Sequence, residues 1–170
     1  QSVTAISLAL EAGPDLADLS GDWIKQLGFD FLFRTGQHQT LLDLIERWEA
    51  AAKMLDTEID SIATWSLIFL RQFSLAEPRL NRIELSQNSK LRDTLPLQKA
   101  VMAALRDDFS TSRALAEQWV LSNEDLYSVE MGVASTVFAF GLKFTAEFDR
   151  AQVALRDAIY GFNTAQSSYG

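Results

Sequence analysis

The chain holds a single histidine, His38, and no cysteine. A Ser-His-Asp triad finds no supporting constellation around that one imidazole. Zinc sites that need two or more imidazoles lack their ligands, and thiolate chemistry lacks its nucleophile. His38 stands between Gln37 and Gln39 in the polar turn Gly36 to Thr40. That is the setting of a solvated loop histidine, with a pH-sensitive contact or a general base as the chemistry open to it. Carboxylates are grouped at Asp107-Asp108, Glu124-Asp125 and Asp56-Glu58-Asp60, the residue type for acid–base work. Each group also lies near an expected helix start, where a carboxylate caps exposed amides and meets the favourable end of the helix dipole. The Glu-x-x-His pattern of di-iron bundles is absent, as are the Gly-x-x-x-x-Gly-Lys-Ser/Thr and Gly-x-Gly-x-x-Gly phosphate loops. No catalytic residue, metal ligand or cofactor site is assigned, and the expectation is a protein that is not an enzyme and carries no cofactor.

Side chains suited to binding are easier to find. Residues 71–99 carry Arg71, Arg79, Arg82, Lys90, Arg92 and Lys99 against Glu77, Glu84 and Asp93, while the whole chain has a formal charge of −8. A basic segment on an acidic body either attracts an acidic partner or folds back onto the body's own carboxylates. Of the four tryptophans, Trp23, Trp48 and Trp119 suit a core, whereas Trp65 lies off the stripe traced by Ile62, Leu67 and Leu70. The candidate partner-binding residues are therefore Arg71, Arg79, Arg82, Lys90, Arg92 and Trp65.

The elements that must position these groups all read as helices. A short segment about Thr4 to Ala12 stops at Gly13-Pro14, and Asp22 caps a helix through Trp23, Ile24, Leu27 and Phe31 that Gly36 closes. Leu41, Leu44, Ile45, Trp48, Ala52 and Leu55 then recur at three- and four-residue intervals, with charge on the other side. Thr57 and Asp60 have capping-box spacing, and Ile59, Ile62, Ala63, Leu67, Leu70 and Phe73 continue the apolar face as a second helix or an extension. The stretch at about 74–95 loses periodicity and reads as a long polar, basic connection. Thr94 and Pro96 start a helix burying Leu97, Val101, Ala104 and Leu105, and Asp108 or Ser110 caps the next, with Ala114, Leu115 and Trp119.

The segment at about 124–144 is apolar or small on every side and predicts a helix that others surround, with Phe138, Phe140 and Phe144 filling gaps over Gly132, Ala134, Ala139 and Gly141. Phe148, Ala151, Leu155, Ile159 and Phe162 mark a last amphipathic stripe before a frayed end at Ser167, Ser168 and Gly170. The fold class is thus all-α, a compact bundle of six to eight helices in a single domain, 1–170, around the helix at about 124–144. A hydrophobic content of 48% supplies the core. Its longest uncharged run near the apolar peak, Met131 to Leu142, has 12 residues. A bilayer-spanning helix needs about 20. With no signal-peptide pattern in the chain as given, the expectation is a soluble protein of unassigned compartment.

Ala104 to Ala116, ALRDDFSTSRALA, resembles a stretch of the C-terminal helical domain of cysteinyl-tRNA synthetases, through Asp107, Asp108, Phe109, Thr111, Ala114 and Leu115. The resemblance spans at most Leu97 to Phe144, finds no match before residue 90, and implies an RNA-side accessory domain. The same residues also make an ordinary helix end, cap and helix start. The acidic charge argues against DNA and against general nucleic-acid affinity. The leading expectation is a helical interaction or assembly module with a protein partner, a second copy of itself included. A sensory domain with an interhelical ligand pocket is the alternative, and insertion of 129–144 into a membrane after rearrangement is a further one.

Overall fold

The spacing of apolar residues at threes and fours is realised in a computed structural model that describes residues 22, 24–25, 32, 35–53, 55–123, 129–144 and 146–167. Among the described residues there are seven α-helices and no strand: α1 His38–Ala52, α2 Thr57–Phe69, α3 Phe73–Glu84, α4 Ser89–Leu105, α5 Phe109–Ser122, α6 Val129–Phe144 and α7 Phe148–Ser167. The all-helical, helix-on-helix class is as expected. The expected segments at 4–12, at Trp23, Leu27 and Phe31, at 124–128 and at 168–170 lie outside the described residues, as does the side chain of Phe162.

By its internal contacts the chain divides into two compact units, Gln1–Leu91 and Arg92–Gly170. In the first, α2 packs on both α1 and α3. Its core draws on Leu41, Leu44, Ile45 and Trp48 of α1, Ile59, Ala63, Leu67 and Ile68 of α2, and Ala76, Leu80 and Ile83 of α3. In the second unit α6 packs on both α5 and α7 and is its middle helix.

The stretch at about 74–95 is not a connection. It contains all of α3 and the start of α4, separated by Leu85 to Asn88. Ala76, Leu80 and Ile83, spaced four and three apart, form the buried stripe of α3. Pro78 sits inside that helix on its exposed side. A proline there removes one ladder bond and crowds the preceding turn, at a cost of about 3 kcal/mol. Tertiary contacts of α3, described below, outweigh it. Pro96 likewise lies within α4 instead of starting it.

Helix starts follow local chemistry. The Asp56 carboxylate accepts from the backbone amides of Glu58 at 2.8 Å and Ile59 at 3.3 Å, so Asp56 is the cap of α2 and Thr57 its first residue. Asp108 caps α5 by accepting from the Thr111 amide at 3.1 Å. Helix ends are less conventional. Arg71, Asp107 and Ala146 all have positive φ, at 59°, 62° and 61°. In each case the amide of the following residue bonds a carbonyl five residues back: Gln72 to Leu67 at 2.8 Å, Asp108 to Ala103 at 3.0 Å and Glu147 to Leu142 at 2.9 Å. These are Schellman ends whose left-handed residue is not glycine. Gly36, with φ 72° and a Gln37 to Leu32 bond of 2.8 Å, makes the same turn with the expected residue. The turn at Arg71 therefore ends α2 at Phe69, and the apolar face expected to run on to Phe73 is split between two helices.

Small residues set the second unit. A Cβ added to Gly141 of α6 would lie 2.6 Å from Cβ and 3.1 Å from Cα of Arg113 in α5, closer than real side chains approach. Against α7, Ala139 and Leu142 meet Ala151 and Ala154, with Phe138 packed at the edge of that cluster. The expectation that Phe138, Phe140 and Phe144 fill the gaps over the small residues of α6 is corrected in part. Phe140 and Phe144 are 51% and 58% exposed, because α5 and α7 approach its glycine and alanine faces and leave the opposite face open. The buried set of α5 is likewise Ser112, Ala116 and Trp119, whereas Ala114 is exposed and Leu115 half-buried. Gly141→Ala should force α5 and α6 apart and lower stability by about 1–3 kcal/mol in urea unfolding; an unchanged midpoint would refute the close contact.

Candidate functional site

Helix α3 brings two of the candidate basic residues onto carboxylates of its own unit. Arg79 Nη1 lies 2.7 Å from Asp60 Oδ1 and 2.8 Å from Glu49 Oε1, and its Nη2 donates to Glu49 Oε2 at 3.0 Å. One turn on, Arg82 grips the same Asp60 with Nε at 2.8 Å and Nη2 at 2.5 Å. Asp60 is fully buried in α2, so this cluster ties α1, α2 and α3 together with charge-assisted bonds. Burial opposes the charge of Arg79, but Glu49 and Asp60 more than offset it and hold its guanidinium above the ordinary range; for Arg82 the hydrogen bond to Asp60 has the same effect. Asp60, expected in a capping box, is instead the anion at the centre.

The remaining candidates are dispersed. Arg71 is exposed and occupies the left-handed position that ends α2, and Lys90 and Arg92 are exposed near the start of α4. Trp65 is half-buried on α2. Its ring stacks on Phe69 with centroids 6.0 Å apart, and Phe69 stacks in turn on His38 at 5.4 Å. Phe69 is 47% exposed, so this aromatic row reaches the surface of the first unit. His38 is not a loop residue but the first residue of α1, with Nδ1 3.2 Å from Ser66 Oγ. A serine beside an imidazole is the beginning of a nucleophile–base pair, yet Ser66 has no exposed surface, and no acyl group can reach its oxygen. Among the described residues no three His, Asp or Glu side chains are grouped to hold a metal ion. None of the described helices is long and apolar enough to cross a membrane.

The second unit carries the feature that periodicity alone did not separate. Among the described residues of α7 the buried ones are Ala151, Ala154 and Ala158, a stripe of alanines. Phe148, Leu155 and Ile159, expected on the core side with Ala151, are 63%, 45% and 60% exposed. They fall at i, i+7 and i+11, a single line about 16 Å long beside the alanine stripe. Elsewhere in this unit Phe109 stacks on Phe144 at 3.8 Å, and Arg150 reaches Glu117 at 2.8 Å while lying 5.7 Å from the Phe138 ring. The signal that marked the exposed line was available in sequence, as a helix with two adjacent stripes, one small and one large. Only packing selected between them.

No family model, curated protein or solved structure matches the chain. The residues that carry the likeness to cysteinyl-tRNA synthetases form the turn between α4 and α5, at Asp107 and Asp108, and the first two turns of α5, at Phe109, Thr111, Ala114 and Leu115. Asp107 adopts the left-handed turn, and Asp108, its carboxyl held below the usual range by bonds from Thr111 and Ser110, caps α5.

Two measurements check these assignments. Asp60→Ala leaves two guanidiniums facing each other and should cost about 3–5 kcal/mol of stability; a loss below about 1 kcal/mol would show that the cluster is not what holds α3. Burial lowers the pKa of His38 below its ordinary 6.5, so the unfolded chain takes up this proton first as pH falls. Stability should therefore decline as pH drops through 6.5 and level off below the folded-state pKa. Urea midpoints for His38→Gln between about pH 7 and pH 5.5 should lack that decline.

Proposed function

We propose that this chain is a non-enzymatic interaction or assembly module that docks a protein on the outer line of α7. What supports the reading is one observation: Phe148, Leu155 and Ile159 face outward from a helix that packs inward on Ala151, Ala154 and Ala158. Leaving large apolar side chains in water forfeits about 1.5–3 kcal/mol for each one that could be buried. Along the described part of α7 the inner contact is made by methyl groups, and bulky neighbours alongside add nothing to it. Contiguous apolar faces of this kind are characteristic of surfaces that become covered by a partner. The acidic body restricts what that partner is, since nucleic acid is repelled by a chain of formal charge −8. Aromatic and aliphatic anchors on a rigid helix suit a second helix laid along them, read at the same three- and four-residue spacing.

The reading separates cleanly from a core role. Leu155→Lys and Ile159→Lys should each change unfolding stability by less than about 0.5 kcal/mol, as for exposed positions, while reducing the hydrophobic-dye fluorescence of the folded protein. A loss of about 2–5 kcal/mol would mean that the line is buried in the working molecule's own core, and the docking role would be withdrawn.

A further inference from the structure

We infer that the occupant of this line is the same line on a second copy of the chain, laid antiparallel; the inference rests on the docking role proposed above. Phe148, Gln152, Leu155 and Ile159 are all exposed and follow one another at four, three and four residues, the spacing of a two-helix seam. That spacing is self-complementary under a two-fold axis passing between Val153 and Ala154. Phe148 then meets Ile159 of the second copy, and Gln152 meets its Leu155, each pairing occurring twice. An interface of this kind is closed, because the same patch is used by both copies.

Charge selects the direction. Asp149 and Arg156 are both exposed and lie seven residues apart on the edge of the seam away from the alanine stripe. In the antiparallel pairing each Asp149 falls in the same interval as Arg156 of the other copy, giving two symmetric opposite-charge pairs. In a parallel pairing Phe148 meets Phe148, and the Asp149–Arg156 edges of the two helices lie on opposite sides of the seam, where they cannot pair. Two bodies of formal charge −8 repel each other, so the local cross-pairs both offset that repulsion and define the register. Gln152, the polar member of an otherwise apolar seam, disfavours alternatives that would bury it among larger apolar groups.

Sedimentation equilibrium of the full chain, with stability measured in parallel, tests this. The wild-type protein should show a reversible monomer–dimer equilibrium. Asp149→Arg alone, or Arg156→Asp alone, should raise the dimer dissociation constant by about tenfold or more by replacing both attractive pairs with repulsive ones. The double variant Asp149→Arg/Arg156→Asp should recover the wild-type value to within about threefold. A chain that stays monomeric to about 1 mM overturns the inference, as does a dimer whose affinity ignores the single reversals or is not restored by the double one. If the protein is monomeric while Leu155→Lys keeps full stability, only the identity of the occupant is wrong. If Leu155→Lys loses stability as a core substitution does, the docking role and this inference fall together.

Discussion

Helix α7 rests on methyl groups. Because Ala151 and Ala154 are what α7 offers to Ala139 and Leu142 of α6, the two backbones come close and the contact leaves no room for larger side chains from α7. The same economy governs the other side of α6, where Gly141 admits the backbone of Arg113. Close approach over small residues leaves several bulky apolar groups of both helices outside the contact, although Leu142 and Met131 of α6 are buried. Phe140 and Phe144 on α6, and Phe148, Leu155 and Ile159 on α7, are consequently at the surface. The exposed apolar line proposed as a docking surface is thus a by-product of how the inner contact is made, and the functional proposal depends on that contact.

The first unit is organised by a different constraint. A carboxylate with no exposed surface, Asp60, is tolerable only because three guanidinium nitrogens surround it and Glu49 completes the charge balance. Arg79 and Arg82 are thereby spent on the fold, and the basic segment neutralises its own body at those two positions. This anchoring explains how a helix with Pro78 in it persists. Its buried side, Ala76, Leu80 and Ile83, is held against α2 while the arginines on the adjoining side are clamped.

The amphipathic face of α1 and the carboxylate cap at Asp108 were legible because they depend on residues within one or two turns of each other, whereas the cap of α2 falls on Asp56, one residue before the expected Thr57. So was Gly36, since glycine announces a left-handed turn. Arg71, Asp107 and Ala146 make the same turn without announcing it. Their strained φ is imposed by the hydrogen bonds of the helix end and the direction the next helix must take, neither of which is a property of the residue type. For the same reason α3 resembles a connection locally, because its polar residues and proline contradict a helix and its compensation comes from residues 19 to 30 positions away.

The sequence by itself determined that the chain is helical and that carboxylates gather near its helix starts. It also withheld the groups that several common kinds of catalysis require. These follow from periodicity, capping and composition, which act over a few residues. The tertiary structure decided which of two adjacent stripes on α7 faces inward, which arginines are consumed by the fold, and that His38 is stacked in an aromatic row instead of solvated. Those outcomes turn on which surfaces meet across long stretches of chain, where a methyl group or a buried carboxylate acquires its meaning only from what packs against it.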